Sequence, residues 1–123
     1  MFKGIRKYFL RLDIIILVLI ATIIGALLRW QFNNDLFSNL FGAAIIGLVL
    51  GLNLRPRIQE ILTIGFCSSF TTFSGWIWDV MELIISGFIL RALGLLFSTL
   101  IGGFLVLSLA FWTGKKMRHL FFP

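Results

Sequence analysis

Four uncharged, mostly apolar runs divide the chain. Residues 14–28 (IIILVLIATIIGALL) lie between Asp13 and Arg29. Residues 36–54 follow, including Asn39, and are closed by Arg55-Pro56-Arg57; the last two runs are 61–78 and 92–113. A transmembrane β-barrel would alternate apolar and polar positions along each segment. These runs are continuous, so each is read as a helix, the other backbone form that satisfies its own polar groups in lipid. At about 1.5 Å per residue, roughly 20 residues cross a bilayer core. With their flanks the runs predict spans at about 13–30, 36–54, 60–79 and 91–113 in a single domain, residues 1–123. The piece between the last two, LIISGFIL at 83–90, reads as a short interfacial or helix-end segment. The basic start before residue 14 could open a signal peptide. No small-residue cleavage site clearly ends the run and three more runs follow, so it is read as a retained span.

The third run breaks the pattern. Its centre, Gly65-Phe66-Cys67-Ser68-Ser69-Phe70-Thr71-Thr72-Phe73-Ser74-Gly75-Trp76, places five hydroxyl residues and two glycines where a span should be most apolar. Such hydroxyls bond back to their own backbone and bend or open a helix. Irregular backbone at membrane depth persists only where it is buried in protein or lines a wet cavity, and broken helices of this kind bind ions in transporters. A merely kinked helix is the plainer alternative. Small residues also recur at helical spacing: Ala21 with Gly25, Gly47 with Gly51, Ser98 with Gly102, Thr99 with Gly103. They allow close helix contact in lipid. Four compact spans do not readily enclose a polar pathway alone, so the expected form is an oligomer.

Composition sharpens this reading. Apolar residues make up 59% of the 123 and charged residues 13%, too few to coat a soluble domain. The mean hydropathy of +1.04 excludes an ordinary soluble enzyme and leaves no room for a separate catalytic domain. The net charge of +6, a nucleic-acid signal in a soluble chain, records orientation in a membrane protein; no nucleic-acid partner is expected. Nine Lys and Arg (Lys3, Arg6, Lys7, Arg11, Arg55, Arg57, Lys115, Lys116, Arg118) fall on the side of the termini, against Arg29 and Arg91 on the other. Positive residues stay inside, so both termini are expected in the cytoplasm. Cys67 and His119 each stand alone, which excludes an intrachain disulfide and a one-chain cluster of Cys and His ligands.

Three segments together resemble the Fluc/CrcB family of bacterial fluoride channels. Gly25-Ala26-Leu27-Leu28-Arg29-Trp30 is similar to the family's G-x-x-x-R-[WY]. Asn39-Leu40-Phe41-Gly42-Ala43-Ala44-Ile45-Ile46-Gly47 matches N-x-x-G-x-x-x-x-G. Gly65 through Ser74 is close to G-F-x-G-x-x-T-T-F-S. The resemblance covers nearly the whole chain. It implies an all-α membrane protein of four transmembrane helices with a break in the third, assembled as an antiparallel dimer with two narrow pores in the bacterial plasma membrane. It implies Asn39, Thr72, Phe73, Trp76 and Thr99 beside the pore. The Asn39 amide would donate to fluoride, and Phe73 would meet it with the positive ring edge. It further implies backbone carbonyls of Ser68 and Thr71 around a structural sodium ion shared by the two subunits, and Arg29 as a vestibule charge that raises local anion concentration. Apart from the family, Asn39 reads as a helix-to-helix hydrogen bond, Phe73 as core packing, and Arg29 as a snorkelling anchor.

The chain departs from the pattern in its third and fourth spans. The family's second phenylalanine is Trp76 here, followed by Ile77 where serine is usual; the larger indole is expected to narrow or block the pore that uses it. Leu95 stands where the fourth span usually has tyrosine, and Gly103 where serine is frequent. An antiparallel homodimer needs one sequence to insert both ways, and nine cations against two oppose that. The expected partner is therefore a homologous four-span subunit of opposite orientation. Two other functions compete: a degenerate subunit that only stabilises a conducting homologue, and a small multidrug exporter. The exporter needs a carboxylate within the membrane, and Asp13 at a span edge is the deepest on offer.

Overall fold

The computed structural model describes residues 2–122, and the side chains of residues 2 and 5–10 are not among those described. Met1, Pro123 and the Arg6 and Lys7 side chains of the charge count lie outside the described residues. Helices follow in the order α1 (Phe2–Phe32), α2 (Asp35–Leu52), α3 (Pro56–Glu60), a π-helical stretch (Ile61–Cys67), α4 (Ser68–Phe70), α5 (Phe73–Ile85) and α6 (Ile89–Phe121). The described chain is almost wholly helical and contains no strand among the described residues.

Local chemistry fixes the helix ends. Asn33, at φ 45°, turns the chain after α1, in the left-handed region that asparagine tolerates best after glycine. Asn34 then caps α2, its side-chain oxygen accepting from the Phe37 N–H at 3.0 Å. Asn53 (φ 50°) ends α2 in the same left-handed conformation, and Pro56 opens α3 at a position where no N–H is needed. Gly87, at φ 85°, makes the turn from α5 into α6.

Two pairs of close contacts set the arrangement. On α2, added side chains at Gly47 and Gly51 would run into the α6 backbone at Leu107 and Phe111, and one at Gly114 into the α2 backbone at Leu48. On α1, Gly25 lies against Phe66 and Ser69, while Gly65 lies against Val18 and Ala21. Residue numbers rise together in both pairs, so α2 runs parallel to α6, and α1 parallel to the 61–70 stretch. Ala21–Gly25 and Gly47–Gly51 thus sit at helix contacts. Gly103 faces open space and Gly102 meets only the tip of Leu40.

Three helices are long and apolar enough to cross a membrane: Arg11–Phe32, Asp35–Leu52 and Ile89–Phe121. They bury little within the chain, and large apolar side chains such as Leu19, Ile23, Leu105 and Leu109 are half or more exposed. Exposed apolar surface on this scale needs lipid or protein against it, and the chain is a multi-pass membrane protein. The sequence predicted a further span at 60–79. That part of the chain consists of the π-helical stretch, α4 and α5, and its hydroxyl residues account for the interruptions.

Candidate functional site

The segment from Ile61 to Thr72 is where backbone and side-chain hydrogen bonding change places. In the wider π turn, Thr22 of α1 donates its hydroxyl to the Val18 carbonyl at 2.8 Å and to the Gly65 carbonyl at 3.3 Å. Ser69 donates to the carbonyls of Gly65 (3.1 Å) and Phe66 (3.0 Å), Thr71 to that of Cys67 (2.8 Å), and Ser68 to that of Ile64. The Ser68, Ser69 and Thr71 hydroxyls are satisfied by the backbone one turn before them, as Ser and Thr are when they bend a helix. Their protons are therefore committed and do not face a ligand.

The helical run stops at Phe70 and resumes at Phe73, with Thr71 (ψ 158°) and Thr72 (φ −144°, ψ 126°) extended. Asn39 of α2 holds the extended pair. Its Oδ1 accepts from the Thr72 N–H at 2.8 Å, and its Nδ2 donates to the Thr72 carbonyl at 3.0 Å. An N–H can only donate and a carbonyl only accept, so this pairing fixes which way the carboxamide faces. One Nδ2 hydrogen remains uncommitted. The Thr72 hydroxyl oxygen accepts from the Gly75 N–H at 3.1 Å, which caps α5 and leaves the hydroxyl proton free. With the Thr72 N–H turned to Asn39, the Ser68 carbonyl loses its next-turn partner, as the last carbonyls of any helix do.

A groove of about 320 Å³ runs beside this clasp. Asn39, Thr71, Thr72, Phe73, Trp76 and Thr99 all line it, with Ala43, Ile46, Leu100 and Leu107 as the apolar remainder. Of the residues singled out from sequence, Asn39, Thr72, Phe73, Trp76 and Thr99 thus come together. Their states differ. Phe73 is 74% exposed, whereas Trp76 is 5% exposed and packs with Val80 and Ala92 between α5 and α6. The two rings lie 5.6 Å apart, tilted by 60°. Thr99 lines the groove, yet its hydroxyl donates to the Leu95 carbonyl at 2.8 Å, so its proton is engaged. Ser68 and Arg29 do not line the groove. Arg29 sits in the last turn of α1, where the helix dipole favours a cation.

Two features of the site escaped the sequence reading. The first is the start of α5. Its opening N–H groups have no helical partner and carry the positive end of the helix dipole to the groove's edge. Thr72, a residue type favoured at the N-cap, was the available cue. The second is the Trp76 indole Nε1, which is buried without a hydrogen-bond acceptor among the described residues. Nothing in the sequence distinguishes a committed indole from an orphaned one.

The family described as "CrcB-like protein, Camphor Resistance (CrcB)" matches residues 16–112. "Fluoride-specific ion channel FluC 1" of a Prochlorococcus marinus strain is 54% identical, over 89% of this chain and 88% of that one. "Fluoride-specific ion channel FluC 2" of a Synechococcus species is 42% identical, over 96% and 92% respectively. "Fluoride-specific ion channel FluC" of Haemophilus ducreyi is 36% identical, over 81% and 90%. The match spans most of the chain, and the chain belongs to the CrcB family.

Proposed function

We propose that this member of the CrcB family is a subunit of a fluoride-specific channel that lets cytoplasmic fluoride leave passively, giving fluoride resistance. The observation that carries the reading is the groove, which unites Asn39, Thr72, Phe73, Trp76 and Thr99 beside the start of α5. Fluoride is small and strongly hydrated, so a selective path must replace water with fitted donors. The donors on offer are the uncommitted Asn39 Nδ2 hydrogen, the Thr72 hydroxyl proton and the Phe73 and Ser74 N–H groups that open α5, that of Gly75 being taken by the Thr72 oxygen. The positive ring edge of exposed Phe73 adds to them. Apolar Ala43, Ile46 and Leu100 supply a dry wall in which such contacts strengthen. Hydrogen fluoride crosses a bilayer neutral and ionises inside, and the membrane potential then drives the trapped anion outward. Transport of this kind needs no enzyme chemistry.

In this reading residues 56–85 form a third span broken at Thr71–Thr72, and two subunits of opposite orientation complete two pores. A structural sodium ion fits the residues present. Helix-end carbonyls at Ser68 and Thr71 are hard oxygen donors, and the Ser68 carbonyl has lost its next-turn N–H to Asn39. The ion would neutralise the carbonyl dipoles that two such chains bring together. Arg29 serves as a vestibule charge that raises anion concentration near the mouth. The nine-to-two bias of Lys and Arg supports cytoplasmic termini and a homologous partner inserted the other way, in the bacterial plasma membrane. Relatives numbered 1 and 2 support a pair of chains.

The test is anion efflux from liposomes holding this chain alone, and this chain with an opposite-biased homologue. Fluoride is expected to leave and chloride to stay, with the pair faster than the single chain. Equal passage of chloride defeats the reading. A reporter fused after Pro123 is expected to read cytoplasmic in nearly every molecule, and an even split would restore the homodimer.

A further inference from the structure

We propose that the cytoplasmic end of α6 carries a binding site for one anionic phospholipid, with its phosphate held by Lys116 and His119. α6 does not stop where its uncharged run ends at Thr113 but continues to Phe121. Across that transition, side chains of one helix face line an open concavity of about 400 Å³, formed by Leu109, Trp112, Thr113, Lys115, Lys116 and His119. That volume is within the usual range for small-molecule sites, roughly 300–1,000 Å³. The chemistry is graded along the face. Leu105 (54% exposed) and Leu109 (67%) come first, then Trp112 (68%), then the cations. The spacing of 105, 109, 112, 116 and 119 keeps all five on one stripe. From 105 to 119 the rise is about 21 Å, at about 1.5 Å per residue.

A phospholipid has the same gradient. Its acyl chain lies along Leu105 and Leu109, and its glycerol backbone falls at the level of Trp112, where tryptophan favours the interface. Its phosphate then meets the cations. The occupant must be an anion, because the lining holds lysines and histidine and no carboxylate. Lys115 is partly committed, with its ammonium 5.7 Å from the centre of the Trp112 ring. The Thr113 hydroxyl donates to the Leu109 carbonyl at 2.8 Å and is spent. Lys116 and His119 therefore remain for the phosphate. The proposal rests on α6 crossing the bilayer and is independent of what the groove conducts.

Native mass spectrometry of the detergent-solubilised full chain, titrated with phosphatidylglycerol or phosphatidylcholine of the same acyl chains, reads the retained lipid. Phosphatidylglycerol is expected to be retained preferentially. The variant Lys116→Gln/His119→Gln is expected to lower that retention at least about fivefold, the worth of roughly one surface cation, while phosphatidylcholine retention stays unchanged. Both side chains are outside the helix contacts, and an unchanged melting temperature checks that the fold survives. Arg91→Gln, at the opposite end of α6, is expected to change nothing. Equal retention of the two lipids overturns the proposal. So does an equal loss with Arg91→Gln, which would mean bulk charge, or displacement of the lipid by millimolar inorganic phosphate, which would mean a free-anion site.

Discussion

The α2–α6 pair and the 56–85 segment satisfy their backbone polar groups in opposite ways, a contrast that matters most if, as proposed, both cross the same apolar medium. In α2 and α6 the backbone groups between the end turns are satisfied within their own helix, and glycines 47, 51 and 114 bring the two axes close enough for backbone to touch backbone. The reward is dispersion and packing, the main attraction available to helices already in lipid. The 56–85 segment gives up that regularity. It spends a π turn, the back-bonded hydroxyls of Thr63, Ser68, Ser69 and Thr71 and two extended residues, and then needs Asn39 from α2 to satisfy Thr72. What it gains is free donors in a dry place, which an intact helix cannot offer. The regular pair is the frame; the irregular segment presents the chemistry, and Asn39 joins them.

That division predicts the largest effect at the frame. Gly51→Leu would push a side chain into the Phe111 carbonyl and the Lys115 N–H of α6. Overpacking against backbone costs about 1–3 kcal/mol or more, and α2 cannot yield without dragging Asn39 off Thr72. The expected outcome is loss of monodisperse protein in detergent and no transport. A variant that purifies and melts like the parent would show that the two helices can separate, and the distinction between frame and segment would fail.

Asn39→Asp comes next, because it strikes the joint. The aspartate can still accept from the Thr72 N–H, but its second oxygen faces the Thr72 carbonyl and no N–H remains for an anion. A donor to an ion is worth about 1.5–3 kcal/mol, roughly 10- to 150-fold in occupancy, and the repulsion adds to it. Fluoride efflux is expected to vanish and the melting temperature to fall. Normal efflux would remove Asn39 from the path and leave it only as a clasp.

Phe73→Ile should separate the two regions in the other direction. The ring is 74% exposed, so its loss is expected to leave stability within about 0.5 kcal/mol. Isoleucine keeps apolar bulk but has no quadrupole, and an edge contact worth about 0.5–1.5 kcal/mol predicts a fall in efflux of up to roughly tenfold. A drop in melting temperature with unchanged efflux would make Phe73 a packing residue.

Much of this was legible before any coordinates. The uncharged runs placed α1, α2 and α6 because lipid-facing helices need only be apolar and long. The helix ends were less legible: α1 and α6 run past their spans, to Phe2 and Phe121, since charged residues propagate a helix as well as apolar ones outside the bilayer. The hydroxyl-rich centre at 65–76 drew attention to this stretch, and the departures from α-helical bonding lie at 61–67 and at Thr71 and Thr72. It could not announce that Ser68, Ser69 and Thr71 bond backwards while the Thr72 oxygen caps forwards, because composition carries no direction. Thr99 shows the same limit, since facing the groove and having a free proton are separate properties.

Trp76 holds the smallest and most finely balanced expectation. From sequence its indole is a plug, and Trp76→Phe should speed the pore that uses it. In the fold the ring is 5% exposed and wedged among Val80, Ala92 and Leu95, so only part of it borders the groove. Two opposing costs decide its stability. Phenylalanine leaves the space of the fused ring, a large-to-small change that costs on the order of 1–2 kcal/mol, below the about 3–5 for truncation to alanine. It also removes a buried N–H with no acceptor, which relieves a penalty of about 1–3 kcal/mol. The two nearly cancel, and the melting temperature is expected to move by no more than a few degrees, with efflux rising less than about threefold. Trp76→Ala, which relieves the same N–H but leaves a far larger void, is expected to destabilise strongly. The pair of variants therefore separates the orphaned donor from the packing. If phenylalanine costs as much as alanine, the indole N–H has found an acceptor in the assembled channel, and Trp76 belongs to the irregular segment's chemistry, not to the frame.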